Sequence, residues 1–303
     1  MRFLRSLFLH NELFWRPQIL IRSIHRVLFK ASRPELCRMS MPWGATLNIN
    51  TSECVGSEIY YWGVLDSVVV ESLHRLIDDG DVVVDAGANI GQMTTLMQHL
   101  AGDRGSVIPI EAHPAVYTNL CQNIDQAWEK PRGNVQPHNI AISDHSGSVQ
   151  LRQPTSWSKN QGTASLETDA FDTDFVIIHI PSDTLTNVIQ PHTKIHLLKM
   201  DVEGHEAAVL NGASKLLETG SIRDIILEVF SNKREGIINL LLKHNYSLFW
   251  IQKTIFGPKL IPHSEMLATT NPDLSDMLAT TEPERALSRF KKRGWTFLKP
   301  AKA

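Results

Sequence analysis

The segment Val82-Val83-Val84-Asp85-Ala86-Gly87-Ala88-Asn89-Ile90-Gly91 constrains this chain more than any other. Its β-branched start reads as a short buried strand. The strand ends in an acid and runs into a turn holding two glycines. Gln92–Leu100 then reads as a helix. Gly87 and Gly91 allow a sharp turn and a close approach of backbone to ligand. A helix opening there carries N–H groups with no partner inside the helix.

The same rhythm continues. Strands are predicted at Val107–Ile110, Val135–Ile140, Val149–Leu151, Phe175–Ile180, Ile195–Met200, Ile225–Val229 and Ser247–Ile251. Helices are predicted at Ala115–Ile124, Glu206–Leu217 and Gly236–Leu242, with a short one through Ile189 capped by Ser182 or Asp183. Strands alternating with helices predict an α/β fold, doubly wound, with a mostly parallel sheet and helices on both faces. Of the 303 residues, 42% are hydrophobic, enough for a sizeable core.

Residues 1–40 read as an N-terminal arm, 41–260 as the α/β domain and 261–303 as a peripheral extension. The arm is basic: Arg2, Arg5, Arg16, Arg22, Arg26, Lys30 and Arg33 accompany Ile19, Ile21, Ile24, Leu28 and Phe29 in an amphipathic pattern. Packing on its own domain is the expected role. A partner protein or a peripheral contact at the inner membrane surface is the alternative for residues 1–35. His10, Asn11 and Glu12 interrupt the apolar run too early for an export signal, so a cytoplasmic location is expected. In the extension, Met-Leu-Ala-Thr-Thr occurs at 266–270 and again at 277–281, read as a duplication in a peripheral helix or loop. Arg289, Lys291, Lys292 and Arg293 read as solvated surface. The net charge of −2 offers no general attraction for nucleic acid, which is not expected as a partner. Cys37, Cys54 and Cys121 form no zinc-type or disulfide pattern.

Three places carry chemistry. The glycine turn is spaced Asp-x-Gly-x-Asn-x-Gly, unlike the dinucleotide pattern G-x-G-x-x-G. An acid ahead of the first glycine repels a pyrophosphate and suits an ammonium. Glu111 ends the next strand, where an acid accepts bonds from ribose hydroxyls. Lys199-Met200-Asp201-Val202-Glu203-Gly204-His205-Glu206 follows a strong strand and belongs at the same sheet edge. Glu203 and Glu206 suit a helix start, but capping does not account for all of this acidity. Glu228, ending a further strand, reaches the same mouth.

The stretches VVVDAGANIGQMTT, IEAHPAVYTNLCQN, NIAISDHSG and LLKMDVEGHE resemble the FkbM family of methyltransferases, over about Gly56 to Ile251. The resemblance implies a class I (Rossmann-like) methyltransferase fold, S-adenosyl-L-methionine as cofactor, and O-methylation of a sugar, glycan or other small-molecule alcohol. By position it implies that Asp85, Gly87, Ala88, Asn89 and Gly91 hold the methionine end and Glu111 the ribose. Ala141 and Ser143 then lie near the adenine, and Asp201 beside the methyl group and acceptor. A hydroxyl needs a base, and Asp201, Glu203, His205 and Glu206 are the candidates. His205 has the unperturbed pKa best suited to neutrality. Asp201 with Glu203 or Glu228 offers oxygen ligands for Mg²⁺, but no metal is expected. Tyr60, Tyr61 and Trp62 read as core of an N-terminal strand rather than a platform for a sugar ring. The rival readings are an NAD-linked oxidoreductase and a non-catalytic scaffold.

Overall fold

A computed structural model describes residues 34–130, 132–155, 164–166, 174–229, 234–266 and 275–298, together with Ile21 and Ile24. The chain begins with β1 (Leu36–Ser40), β2 (Thr46–Asn50), α1 (Cys54–Trp62), α2 (Ser67–Leu76), β3 (Val82–Ala86), α3 (Gln92–Ala101), β4 (Ser106–Ile110) and α4 (Pro114–Gln126). It continues through β5 (Asn134–Val135), β6 (Ala141–Ser143), β7 (Gly147–Pro154), β8 (Phe175–Thr184), α5 (Leu185–Val188), β9 (Ile195–Met200), α6 (Glu206–Gly212) and α7 (Ser214–Glu218). It closes with β10 (Ile222–Glu228), α8 (Arg234–Lys243), β11 (Ser247–Gln252), β12 (Lys259–Pro262), α9 (His263–Met266), β13 (Asp276–Thr280) and α10 (Pro283–Phe290).

The main sheet runs β12-β11-β13-β10-β9-β3-β4-β5. The five strands from β10 to β5 are parallel, and β13 lies antiparallel between β10 and β11. Successive strand side chains point to opposite faces, so two buried faces need two apolar sets. Val83, Val107, Leu197 and Leu278 pack with Ile59, Leu73, Leu96 and Ala286 on one face. Val84, Ile108, Leu198 and Ala279 pack with Val209, Leu217, Ile237 and Leu241 on the other. Helices therefore cover both faces, as the alternating pattern predicts. A second sheet, β6-β8-β7, lies beside the main one.

Several expectations need correction. The repeat at 277–281 is no peripheral loop: all but its last residue lie in β13, with Met277, Leu278 and Ala279 fully buried between two strands. The boundary at 260 therefore cuts through the sheet. The polar cluster around Arg289 is only partly solvated. Arg289 donates to Asp78 at 2.7 Å, and Arg285 donates to the buried Asp224 at 2.9 Å, fastening α10 to the turn after α2 and to β10. Tyr60, Tyr61 and Trp62 end helix α1, not a strand. The strand predicted at 135–140 is only Asn134–Val135, followed by a single bridge from Ile110 to His138. β8 continues to Thr184, and the Thr184 hydroxyl caps α5 in place of Ser182 or Asp183. The helix predicted at 206–217 breaks at Ala213 into α6 and α7. The basic arm lies outside the described residues, apart from Ile21, Ile24 and the stretch from Pro34.

Candidate functional site

A cavity of about 490 Å³ opens at the carboxyl ends of β3, β4, β9 and β10, where open α/β sheets bind ligands. Its floor is the glycine turn, and that turn is built largely on itself. Gly87 and Ala88 both donate their N–H to Ile110 O at 3.0 Å. Asn89, left-handed at φ 49°, donates its N–H to Glu111 Oε2 at 3.0 Å. The His113 N–H reaches Glu111 Oε1 at 2.9 Å. Two backbone donors thus lock the Glu111 carboxylate, and a second lone pair on each oxygen remains for a ligand. Burial pushes the Glu111 carboxyl up, against the pull of those two donors. No side chain caps the start of α3 among the described residues.

Gly87 sits at φ +76°, and a Cβ there would meet Asp201 O at 1.8 Å. The Asp201 N–H in turn donates to Ala86 O at 3.1 Å. The two motifs singled out in the sequence are therefore packed backbone to backbone. Lys199 joins them. Its ammonium lies 3.2 Å from Asp85 Oδ1 and 3.8 Å from Asp201 Oδ2, and it donates to Gly87 O at 2.9 Å. Burial works against this charge, but Asp85 and Asp201 outweigh it and hold the lysine above its ordinary range.

The predicted site residues divide into two groups. Gly87, Ala88, Asn89, Glu111, Ala141, Asp201, Glu203 and Glu228 line the cavity. Asp85, Gly91, Ser143, His205 and Glu206 do not. Asp85 is fully buried, ion-paired to the Lys199 ammonium and bonded to the Thr94 hydroxyl at 2.7 Å, so it braces the turn from within instead of facing a ligand in the cavity. Gly91 is the left-handed residue that starts α3. His205 Nε2 and Ser143 Oγ bond to each other at 2.9 Å. The buried Glu206 carboxylate accepts from the N–H groups of Val202 and Gly204, so it shapes its own loop. His205 and Glu206 therefore support the acidic turn from outside the cavity.

Other lining residues were not anticipated. Ile140, Ile142, Leu151, Ala164 and Leu166 join Ala141 in an apolar slot beside Glu111. Leu65 and Asp66, just ahead of α2, also line the cavity. The Gln92 side chain clasps the backbone of Leu65, accepting its N–H at 2.7 Å and donating to its carbonyl at 2.8 Å. Asp66 is left-handed at φ 50° and caps α2 through Val69 N. Its D-S-V-V sequence is a readable cap signal. Asp276 completes the wall at the start of β13. The repeat gave no hint of it, because the strand's place is set by partners distant in sequence.

The far wall is acidic. Burial, then Asp201, Glu228 and Glu206, push the Glu203 carboxyl up to about 8. Glu203 is itself held left-handed at φ 51°. Glu228 is raised by burial and Asp201, and Asp276 well raised by burial, Asp66 and Glu228. Among the described residues, no three such groups are placed to hold one metal ion.

A glycine turn, a strand-end acid locked by amides and an apolar slot define a Rossmann-like α/β protein of the nucleoside-binding kind. The chain belongs to the FkbM methyltransferase family: the methyltransferase FkbM domain matches residues 85–248. The class I methyltransferase fold that the resemblance implies is the fold observed. A relative, the hexuronic acid methyltransferase AglP of Haloferax volcanii, is 28% identical over 172 residues, covering 55% of this chain and 65% of that protein. The chain thus spans just under two thirds of this curated relative. Among solved structures, Methyltransferase FkbM from Methylobacillus flagellatus aligns with a TM-score of 0.42 at 15% identity, over 75% of this chain and 48% of that one. A SAM-dependent O-methyltransferase from Thermotoga maritima aligns with a TM-score of 0.41 at 16% identity, over 71% and 64%.

Proposed function

We propose that this chain is an S-adenosylmethionine-dependent methyltransferase acting on a hydroxyl of a sugar, glycan or other small alcohol. The observation that carries the reading is the locked Glu111 carboxylate between the glycine turn and the apolar slot. A carboxylate with open lone pairs suits a ribose diol, and the slot at Ala141 suits a flat base. The donor set therefore fits S-adenosylmethionine, with Gly87, Ala88 and Asn89 beneath it. When bound, that cofactor supplies a methyl group on a positively charged sulfur, and its transfer to a hydroxyl releases one proton.

The chain's own residues have three tasks. The Gln92 clasp holds Leu65 in place in the cavity lining. Lys199 sets Asp201 beside the turn. Glu203 takes the proton, because its raised carboxyl is a stronger base once ionised than an ordinary glutamate. A sugar acceptor is supported by the relative AglP, described as a hexuronic acid methyltransferase, although at 28% identity that likeness extends to the sugar class and not to its charge.

Calorimetric titration with S-adenosylhomocysteine tests the reading, with Glu111→Ala as comparison. Binding weakened at least about 10-fold by the substitution is expected, the scale of a bond to a charged group. No binding by the folded, unmodified protein sinks it.

A further inference from the structure

We propose that the acceptor half of the cavity excludes negative charge, so the hydroxyl compound methylated here is uncharged or amine-bearing where it meets Glu228 and Asp276. This rests on the methyl-transfer reading above and adds the charge class of the acceptor.

Topology separates the two halves of the cavity. Glu111 directly follows β4, while Glu228 ends β10, three strands further along the sheet. At about 4.8 Å per strand that is roughly 14 Å. The acids on β10 and β13 therefore stand on the side away from the nucleoside end. In the antiparallel ladder Glu228 lies directly opposite Asp276. Like charges at such positions destabilise a sheet. Nothing in the fold demands them there: one step inward, the facing pair is Leu227 and Met277, both buried.

Asp276 is half-buried in the cavity wall, where burial together with Asp66, Glu228 and Asp201 holds its carboxyl well above the ordinary range. Asp66 faces the same space. Lys199 is committed to Asp85, Gly87 and Asp201. A hydroxyl or ammonium group would give the Asp276 carboxylate a donor, whereas Asp66 already accepts from the Val69 N–H and Glu228 from Ser275. An anion would add a further like charge to a wall that already opposes ionisation, and a uronic acid carboxylate would be repelled.

The test incubates the protein and radiolabelled S-adenosylmethionine with an equimolar pool of neutral methyl glycosides, amino sugars and uronic acids. Products are separated by anion exchange. Label in the unretained fraction, at least tenfold over the retained, is expected. Label retained as anionic product overturns the proposal and leaves the hydroxyl-methylation reading standing. No labelled sugar, with S-adenosylhomocysteine binding intact, overturns both. A second readout needs no catalysis. The double variant Glu228→Gln/Asp276→Asn relieves the opposed charges and raises Tm by about 2 °C or more near pH 8. An unchanged or lower Tm also overturns the proposal.

Discussion

Lys199 shows how much one side chain can hold. In the sequence it is one residue of an acidic turn, yet in the fold it links Asp85, Gly87 and Asp201. Removing it with Lys199→Met strands the fully buried Asp85 carboxylate with the Thr94 hydroxyl. Breaking a buried pair this way costs about 3–5 kcal/mol. Urea denaturation should show that loss, and Asp85→Asn in the same chain should recover part of it. Gly87→Ala is expected to be damaging for a different reason. The left-handed backbone alone costs a non-glycine residue about 1–2 kcal/mol. The added methyl would also strike Asp201 O, so Tm and S-adenosylhomocysteine affinity should fall together. The sequence made the need for a glycine at 87 readable. It did not reveal that the crowding atom belongs to the second motif, more than a hundred residues away.

At the scale of elements, β13 is the informative case. It pairs with β10 through Asp224–Glu228 and with β11 through Ser247–Trp250. A chain ending at residue 260 would leave both ladders open and bare the apolar edges of two strands. Such a truncation should lose cooperative thermal unfolding and aggregate, as measured by circular dichroism and light scattering. Retention of the full-length Tm would show that β13 is dispensable. The parallel strands β3, β4, β9 and β10 were legible because they are buried on both faces and each carries a short apolar run such as Val82–Val84 or Ile225–Leu227. β13 was not, because five residues in a polar stretch carry little periodic signal. The strand expected at 135–140 is shorter for another reason: Gln136, His138 and Asn139 are polar and Pro137 has no N–H for a ladder, so only Asn134–Val135 forms β5.

Across the whole molecule, stability should respond to pH through the acidic wall. Glu203 has a folded pKa of about 8, above its ordinary value of 4.5. The folded state therefore holds a proton that the unfolded chain has released between those values, and stability falls as pH rises through that window. The ligand-free protein should lose Tm from pH 5 to pH 8, and Glu203→Gln should flatten the decline. Methyl transfer runs the other way, because the base must be ionised. Its rate should climb through an apparent pKa near 8 in the unmodified protein. A flat profile would remove Glu203 from the role of base.

The sequence by itself determined the α/β class, the glycine turn, Glu111 and the acidic turn after β9. Each is a local matter of periodicity, turn chemistry and strand-end position. Only the tertiary structure decided which acids face the cavity. Asp201, Glu203 and Glu228 do, while Asp85 and Glu206 turn inward and His205 pairs with Ser143. It also brought Asp66 and Asp276 to the same wall from opposite ends of the chain. Neighbours along a chain share composition, but a side chain's charge, solvation and partners come from packing, and packing joins residues that no local pattern connects.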